Sequence, residues 1–206
     1  MVTSTPRRRT RLSPEERRAQ LLHCALSAFA EHGIARATHS HVASRAGVSI
    51  PAVYSYFRTR DDLVTATLAE VESFLDGLLG ASLLRKQLPA IDALMTLARL
   101  FTDSVEEQPD RIRVWLDWST GTGSEHWHAY LGVLARLHAA TEATIRRGQK
   151  AKDIPAWINP VAAARIYIGG GHTVALMKFE GATEKEVNAA LNQLVGGAVG
   201  WALKPD

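Results

Sequence analysis

The stretch ASRAGVSIPAVYSYF, residues 43–57, decides how this chain is read. It holds a glycine, a serine and a proline within five residues and closes on three aromatics among its last four. Gly47 suits the left-handed turn that ends a helix, because it lacks the Cβ that such a turn penalises. Ser49 can accept from the free amides of a following helix, and Pro51 fits the first turn, where its missing N–H costs nothing. The stretch therefore predicts the end of one short helix, a tight turn, and a second short helix running to about Phe57.

Helical signals continue on both sides. Ser13-Pro14-Glu15-Glu16 combines an N-cap serine, proline at the first helical position and the glutamate that completes a capping box. Leu21, Leu22, Ala25, Leu26, Phe29 and Ala30 then recur at helical spacing until Gly33. Thr38 can cap a helix to about Ala46, and Thr59-Arg60-Asp61-Asp62 opens a longer one to about Leu79, with its acids in the first turn. Further helices are expected from Pro89 to about Glu107, from Asp110 to Trp118, and from Glu125 to Gly148. Two more run from Asn159-Pro160 to about Phe179, and from a second capping box at Thr183-Glu184-Lys185-Glu186 to about Leu203. STGTGS (119–124) reads as a loop and Ile154–Trp157 as a connector. No convincing period-2 strand and no internal repeat interrupts them, so the fold class is all-α with about nine helices.

The charge is unevenly placed. The net charge of +3 hides ten Lys+Arg against three Asp+Glu in residues 1–60, and 14 against 18 in residues 61–206. Four arginines crowd into RRRTR (7–11). A basic first quarter on a mildly acidic body points to a polyanion, with nucleic acid first and an anionic membrane surface second. The longest strongly apolar stretch, LVGGAVGWAL (194–203), is far too short to span a bilayer. The basic N-terminus has no apolar segment behind it and does not read as a secretory signal. A lone Cys24 supports no internal disulfide framework, which fits a reducing cytoplasm.

A capped helix followed by two short helices about a glycine turn, all behind a basic arm, is the organisation of a helix-turn-helix DNA-binding domain. Val42, Ala46, Val48, Val53 and Phe57 can form its small core. Ser49, Ile50, Ala52, Ser55 and Tyr56 are left toward the outer or leading face of the second short helix. Tyr54 is placed to give its hydroxyl to a phosphate oxygen. A buried Tyr56 with a satisfied hydroxyl is the alternative for that residue, and a structural helix hairpin is the alternative for the unit. The face offers no Arg, Asn or Gln for bidentate base contacts. Ile50 and Ala52 can touch thymine methyls and Ser55 can make single hydrogen bonds, so arm contacts and DNA shape are expected to supply much of the specificity.

The chain resembles the TetR family of transcriptional regulators. The likeness is carried by FAEHGIARAT (29–38), VASRAGVSIPAVYSYF (42–57) and TRDDL (59–63). Within that family it is most similar to the quorum-sensing master regulators of vibrios, on RTRLSP (9–14), GIARATH (33–39), TRDDLV (59–64), VWLDWS (114–119), Trp127 and IRRG (145–148). The resemblance implies that the helix near Ser49 enters the major groove while Arg9 and Arg11 of the arm reach a neighbouring minor groove. It gives Arg60 a phosphate contact. Thr38 and His39, at the start of the preceding helix, are placed for a contact to the DNA backbone and join the DNA-binding set. The chain departs from the vibrio pattern at Ser55, where those proteins have asparagine, and at Tyr54, where they have phenylalanine.

The resemblance also implies pairing through the last two helices, with Ile166, Gly170, Val174, Met177, Leu191, Leu194, Val195, Ala198 and Trp201 as the interface set. Mid-helix glycines at 169–171 and at 196, 197 and 200 each cost about 1 kcal/mol against alanine, which makes sense where another helix or a ligand comes close. Packing inside one chain is the competing explanation. Leu75, Leu78, Leu79, Met95, Leu97, Trp115, Tyr130, Leu131, Leu134 and Tyr167 match positions that line a pocket in the resembling regulators. Gly171, where the vibrio proteins have cysteine, would enlarge it. Read without the family, such side chains are plain core.

The expected organisation is a basic arm (1–12), a three-helix DNA-binding domain (13–60) and a helical ligand-binding and dimerisation domain (61–206). The expected protein is a cytoplasmic homodimer that binds pseudo-palindromic double-stranded DNA, as a repressor or with dual sign, and takes a small apolar ligand. No cofactor, metal, membrane partner or enzymatic activity is expected. HSH (39–41) and HWH (126–128) splay their rings on a helix and no cysteine cluster backs them. GTGS (121–124) lacks the P-loop lysine, and no G-x-S-x-G occurs. The alternative is a helical small-molecule-binding protein or carrier with only non-specific affinity for polyanions.

Overall fold

The computed structural model describes residues 12–200, and among them finds nine α-helices and no strand. They are α1 (Pro14–His32), α2 (His39–Ala46), α3 (Ile50–Tyr54), α4 (Arg60–Ala81), α5 (Ala90–Glu107), α6 (Pro109–Thr120), α7 (Trp127–Ala151), α8 (Pro160–Phe179) and α9 (Glu184–Val199). The chain divides into two compact units between Thr67 and Leu68, within α4.

Local chemistry accounts for the N-terminal unit. The Ser13 hydroxyl accepts from the Glu16 amide at 3.1 Å while the Glu16 carboxylate accepts from the Ser13 amide at 2.7 Å, so two otherwise orphan donors are satisfied. Leu21, Ala25, Leu26 and Phe29 turn one face of α1 inward, where Val42, Val53, Phe57 and Leu63 are also buried. Each of the larger of these side chains contributes about 1.5–3 kcal/mol by leaving water. The Arg18 guanidinium lies 5.4 Å from the centre of the Phe57 ring and roofs that core.

The ends of α3, α7 and α9 differ from expectation, for identifiable reasons. The second short helix stops at Tyr54 because Phe57 must fold back into the core. The Phe57 and Tyr56 amides both donate to Val53 O, at 3.0 Å each, tightening the last turn. Gly148 does not end α7. Its missing side chain makes room for a close approach, since a methyl there would lie 2.6 Å from Ile154 Cδ1 and 2.7 Å from Ala90 Cβ. Lys152, in the left-handed conformation at φ 67°, ends the helix four residues later. Gly200, at φ 65°, caps α9 before the expected Leu203.

In the C-terminal unit α8 packs against α5, α7 and α9. Val105, Ile112 and Ala175 form a core with Phe74, Phe101, Leu116 and Phe179 against it. The tryptophans of α6 join an aromatic cluster. Trp115 and Trp118 meet edge to face at 6.2 Å, and Tyr130 lies 4.9 Å from both Trp115 and Trp127. No helix of the described residues is long and apolar enough to cross a membrane.

Candidate nucleic-acid interface and interior cavity

The turn between α2 and α3 forms as its residues require. Gly47 sits at φ 63° and ψ 39°, its amide and that of Val48 bond back to carbonyls of α2, and no neighbour crowds it. This projects Ser49, Ile50, Pro51, Tyr54 and Ser55 outward, with Ile50 43% and Tyr54 48% exposed. The Ser55 hydroxyl donates to Ala52 O at 2.7 Å, so outward it offers lone pairs. Ala52 and Tyr56 are half-buried and line a cleft with Leu12, Pro14, Arg17, Leu21 and Val48. Thr38 is exposed, and its amide donates to His41 Nδ1 at 3.3 Å.

One expected DNA contact is corrected. His39 is buried, with its Nε2 donating to Phe57 O at 2.8 Å and its ring stacked on Tyr54 at 4.0 Å and 6°. It ties the start of α2 to the end of the α3 segment, and reaches no surface on which a phosphate could sit. Arg60 is exposed, but its Nε donates to Ala37 O at 3.1 Å and its Nη2 to Ile34 O. The guanidinium thus braces the loop between α1 and α2, which leaves only its remaining N–H groups for a phosphate. Arg9 and Arg11 lie outside the described residues. Among the described residues no group of three or more His, Cys, Asp or Glu could hold a metal ion.

The C-terminal unit contains a small, partly open cavity of about 50 Å³ with an almost wholly apolar lining. Leu75, Leu78, Leu97, Trp115, Tyr167 and Gly171 line it. Leu79, Met95, Tyr130, Leu131 and Leu134 do not. Tyr130 belongs to the aromatic cluster, and Leu131, one position further along α7, is 41% exposed. Phe101, Thr102, Leu137, Ile168 and His172 complete the lining and were missed. The signal available was helical spacing, which puts Phe101 one turn beyond Leu97.

Few polar atoms face this space, and most are engaged. Tyr167 donates its hydroxyl to Leu94 O at 2.6 Å, and burial pushes its ionisation far above the ordinary value. Thr102 donates to Ala98 O at 2.7 Å. His172 has Nδ1 3.4 Å from Ile168 O, its ring centre 5.6 Å from that of Trp115, and Nε2 buried with no partner. Burial lowers the pKa of His172, keeping the ring neutral near pH 7. A second, polar cleft shares Thr102 and Leu191 with the cavity and is lined by Arg99, Asp103, Glu106 and Lys178 among others.

On α8 and α9 the expected interface set divides in two. Val174, Leu191, Val195 and Ala198 are buried in the unit's own packing, and a methyl on Gly170 would collide with Leu194 Cδ1. Leu191 and Leu194 also line the cavity. These residues therefore close the chain's own core. Met177 is half-buried, and Trp201 lies outside the described residues. Ile166 is 63% exposed, and with Val161 (41%), Leu176 (51%), Gly169 and Thr173 it makes an uncovered, largely apolar stripe along α8.

Comparison with known proteins agrees with this geometry. Residues 21–67 match the family described as "Bacterial regulatory proteins, tetR family". The chain is 34% identical over 131 residues to the HTH-type transcriptional regulator LuxR of Vibrio harveyi, an alignment covering 64% of this chain and 63% of that protein. It is 39% identical over 75 residues to the HTH-type transcriptional regulator TtgR of Pseudomonas putida, covering 36% of each. The chain thus spans less than two thirds of the length of either relative, and both are named as regulators rather than enzymes. A crystal structure of a TetR-like transcriptional regulator from Rhodococcus sp. RHA1 superposes with a TM-score of 0.73 at 21% identity, over 91% of this chain and 96% of that one. Residues 21–67, which hold the α2–turn–α3 unit, thus match the domain described for the tetR family of bacterial regulatory proteins, and the chain has a TetR-like fold.

Proposed function

We propose that the protein is a cytoplasmic, homodimeric transcriptional regulator that binds pseudo-palindromic double-stranded DNA and is modulated by a small, largely apolar ligand. Residues 1–12 form its basic arm, 13–60 its DNA-binding domain, and 61–206 its regulatory and dimerisation domain. The observation that carries this reading is the short exposed α3, held outward by the left-handed Gly47 and backed by the buried Val53 and Phe57. In the major groove, Ile50 and Ala52 meet thymine methyls, Tyr54 donates its hydroxyl to a phosphate, and Ser55 accepts from a base-edge donor. Arg9 and Arg11 add charge in the minor groove, where A·T-rich tracts concentrate negative potential.

The apolar stripe of α8 supports pairing. Two copies related by a two-fold axis would bury Ile166 and Leu176 against each other and present two reading heads to successive major grooves, about 34–36 Å apart. The contact set is centred on Ile166, Gly169, Thr173 and Leu176, with Met177 at its edge. A ligand in the cavity favours one arrangement of the α8 and α9 helices, and so one spacing of the heads. Occlusion of a promoter is the simplest output.

The test is duplex binding by fluorescence anisotropy over a range of salt. A dimer touching six or more phosphates loses roughly 10³-fold or more in affinity between about 50 and about 200 mM salt. A purified protein with no duplex affinity at the lower salt would sink this reading.

A further inference from the structure

The interior cavity contains a buried nitrogen that the fold leaves unused. His172 Nε2 is shielded from solvent and has no protein partner, an arrangement that costs stability. Native structures rarely leave such a group unpaired without a functional reason. The state of the ring follows from its other nitrogen. The Ile168 carbonyl can only accept, so the contact at 3.4 Å puts the proton on Nδ1 and leaves Nε2 with a lone pair. The other hydrogen-bonding groups lean the same way. Thr102 and Tyr167 both donate to main-chain carbonyls, which leaves their oxygens as acceptors toward the cavity.

These groups sit among Leu75, Leu97, Phe101 and Leu191, with the Trp115 ring beside the imidazole. We infer that the ligand of this cavity is a compact, uncharged, mainly apolar molecule bearing one O–H or N–H donor, such as an alkylphenol, with that donor bonded to His172 Nε2. The inference rests on the reading of the cavity as a ligand site and adds the class of ligand. A carboxylate is disfavoured, because its oxygens would face the lone pairs of His172, Thr102 and Tyr167 in a space where its charge has lost its water. A hydrocarbon of the same shape fills the cavity but leaves Nε2 unpaired. Selectivity by pairing a buried acceptor is stronger than selectivity by fit alone.

The experiment is calorimetric titration of the full-length protein with three probes of one shape: 4-propylphenol, propylbenzene and 4-propylbenzoate. The phenol is expected to bind roughly tenfold tighter than the hydrocarbon, and the benzoate to bind weakest. In His172→Phe the phenol and the hydrocarbon are expected to bind alike, while His172→Gln, which keeps an acceptor, retains part of the preference. Equal binding of phenol and hydrocarbon by the natural protein overturns the inference, and that comparison needs no variant to fold. So does tightest binding of the benzoate, a phenol preference surviving in folded His172→Phe, or no binding of any probe. Because these titrations contain no DNA, they fail separately from the regulator reading. A protein that takes the phenol but no duplex refutes only the latter.

Discussion

His39 offers the sharpest test of how the reading helix is held. α3 has only five residues, too few to be stable by its own hydrogen bonds, so its placement depends on tertiary contacts. One is the His39 hydrogen bond to Phe57 O at 2.8 Å, and another is the stack of the same ring on Tyr54. His39→Phe keeps a flat ring beside Tyr54 but removes the donor, leaving a buried carbonyl unpaired at a cost of about 1–3 kcal/mol. His39→Ala also loses the stack, a further ~0.5–1.5 kcal/mol, and opens a void. A local loss of about 1–2 kcal/mol lowers amide protection by roughly 5- to 30-fold. Hydrogen exchange read by mass spectrometry on peptides spanning residues 39–57 should therefore rank natural protein, Phe variant, then Ala variant in falling protection. DNA affinity should fall in the same order. A Phe variant exchanging like the natural protein would show that the hydrogen bond contributes nothing. Equal losses in both variants would show that the stack contributes nothing.

Other outcomes follow from single features. Gly47→Ala has open space around it but must hold φ near 63°, so urea denaturation should show a loss of about 1–2 kcal/mol of conformational origin. Ile166→Asp places a charge on the exposed stripe of α8 and should yield monomers by light scattering with helix content unchanged; a persistent dimer would move the interface elsewhere. Burial lowers the pKa of His172 and His138 beneath the ordinary 6.5, so the unfolded chain binds more protons just below that pH. Stability should be constant above it and fall as pH drops through it, and His172→Phe should flatten that slope. Deleting residues 1–11 removes four arginines, and should both weaken binding and broaden sequence preference.

What the sequence revealed was local chemistry. The capping boxes at Ser13 and Thr183 and the left-handed Gly47 carry their signals within four residues, and each formed as read. What it concealed were partners distant along the chain. His39 looks like a surface residue until Phe57, 18 positions away, supplies its acceptor. Gly148 has the composition of a helix stop, and only the arrival of Ala90 and Ile154 shows it to be a point of close packing. On α8 small and apolar residues occupy most positions, so periodicity could not say which stripe faces inward. The packing of α5 and α7 decides it, covering Val174 and leaving Ile166 outside. Part of the cavity lining was legible because Leu75, Leu97 and Trp115 are large and apolar at helical spacing. His172 was missed because a polar residue in a glycine-rich run gives no sign of being buried.

The measurement that bears most directly on the central claim is selection of binding sites from a random duplex pool by the purified protein at moderate salt. A two-fold-related pair of half-sites about one helical turn apart, with A·T-rich flanks, is the result this account predicts. Salt-sensitive retention of duplex without any enriched sequence would contradict it, leaving a helical small-molecule-binding protein with only non-specific affinity for polyanions.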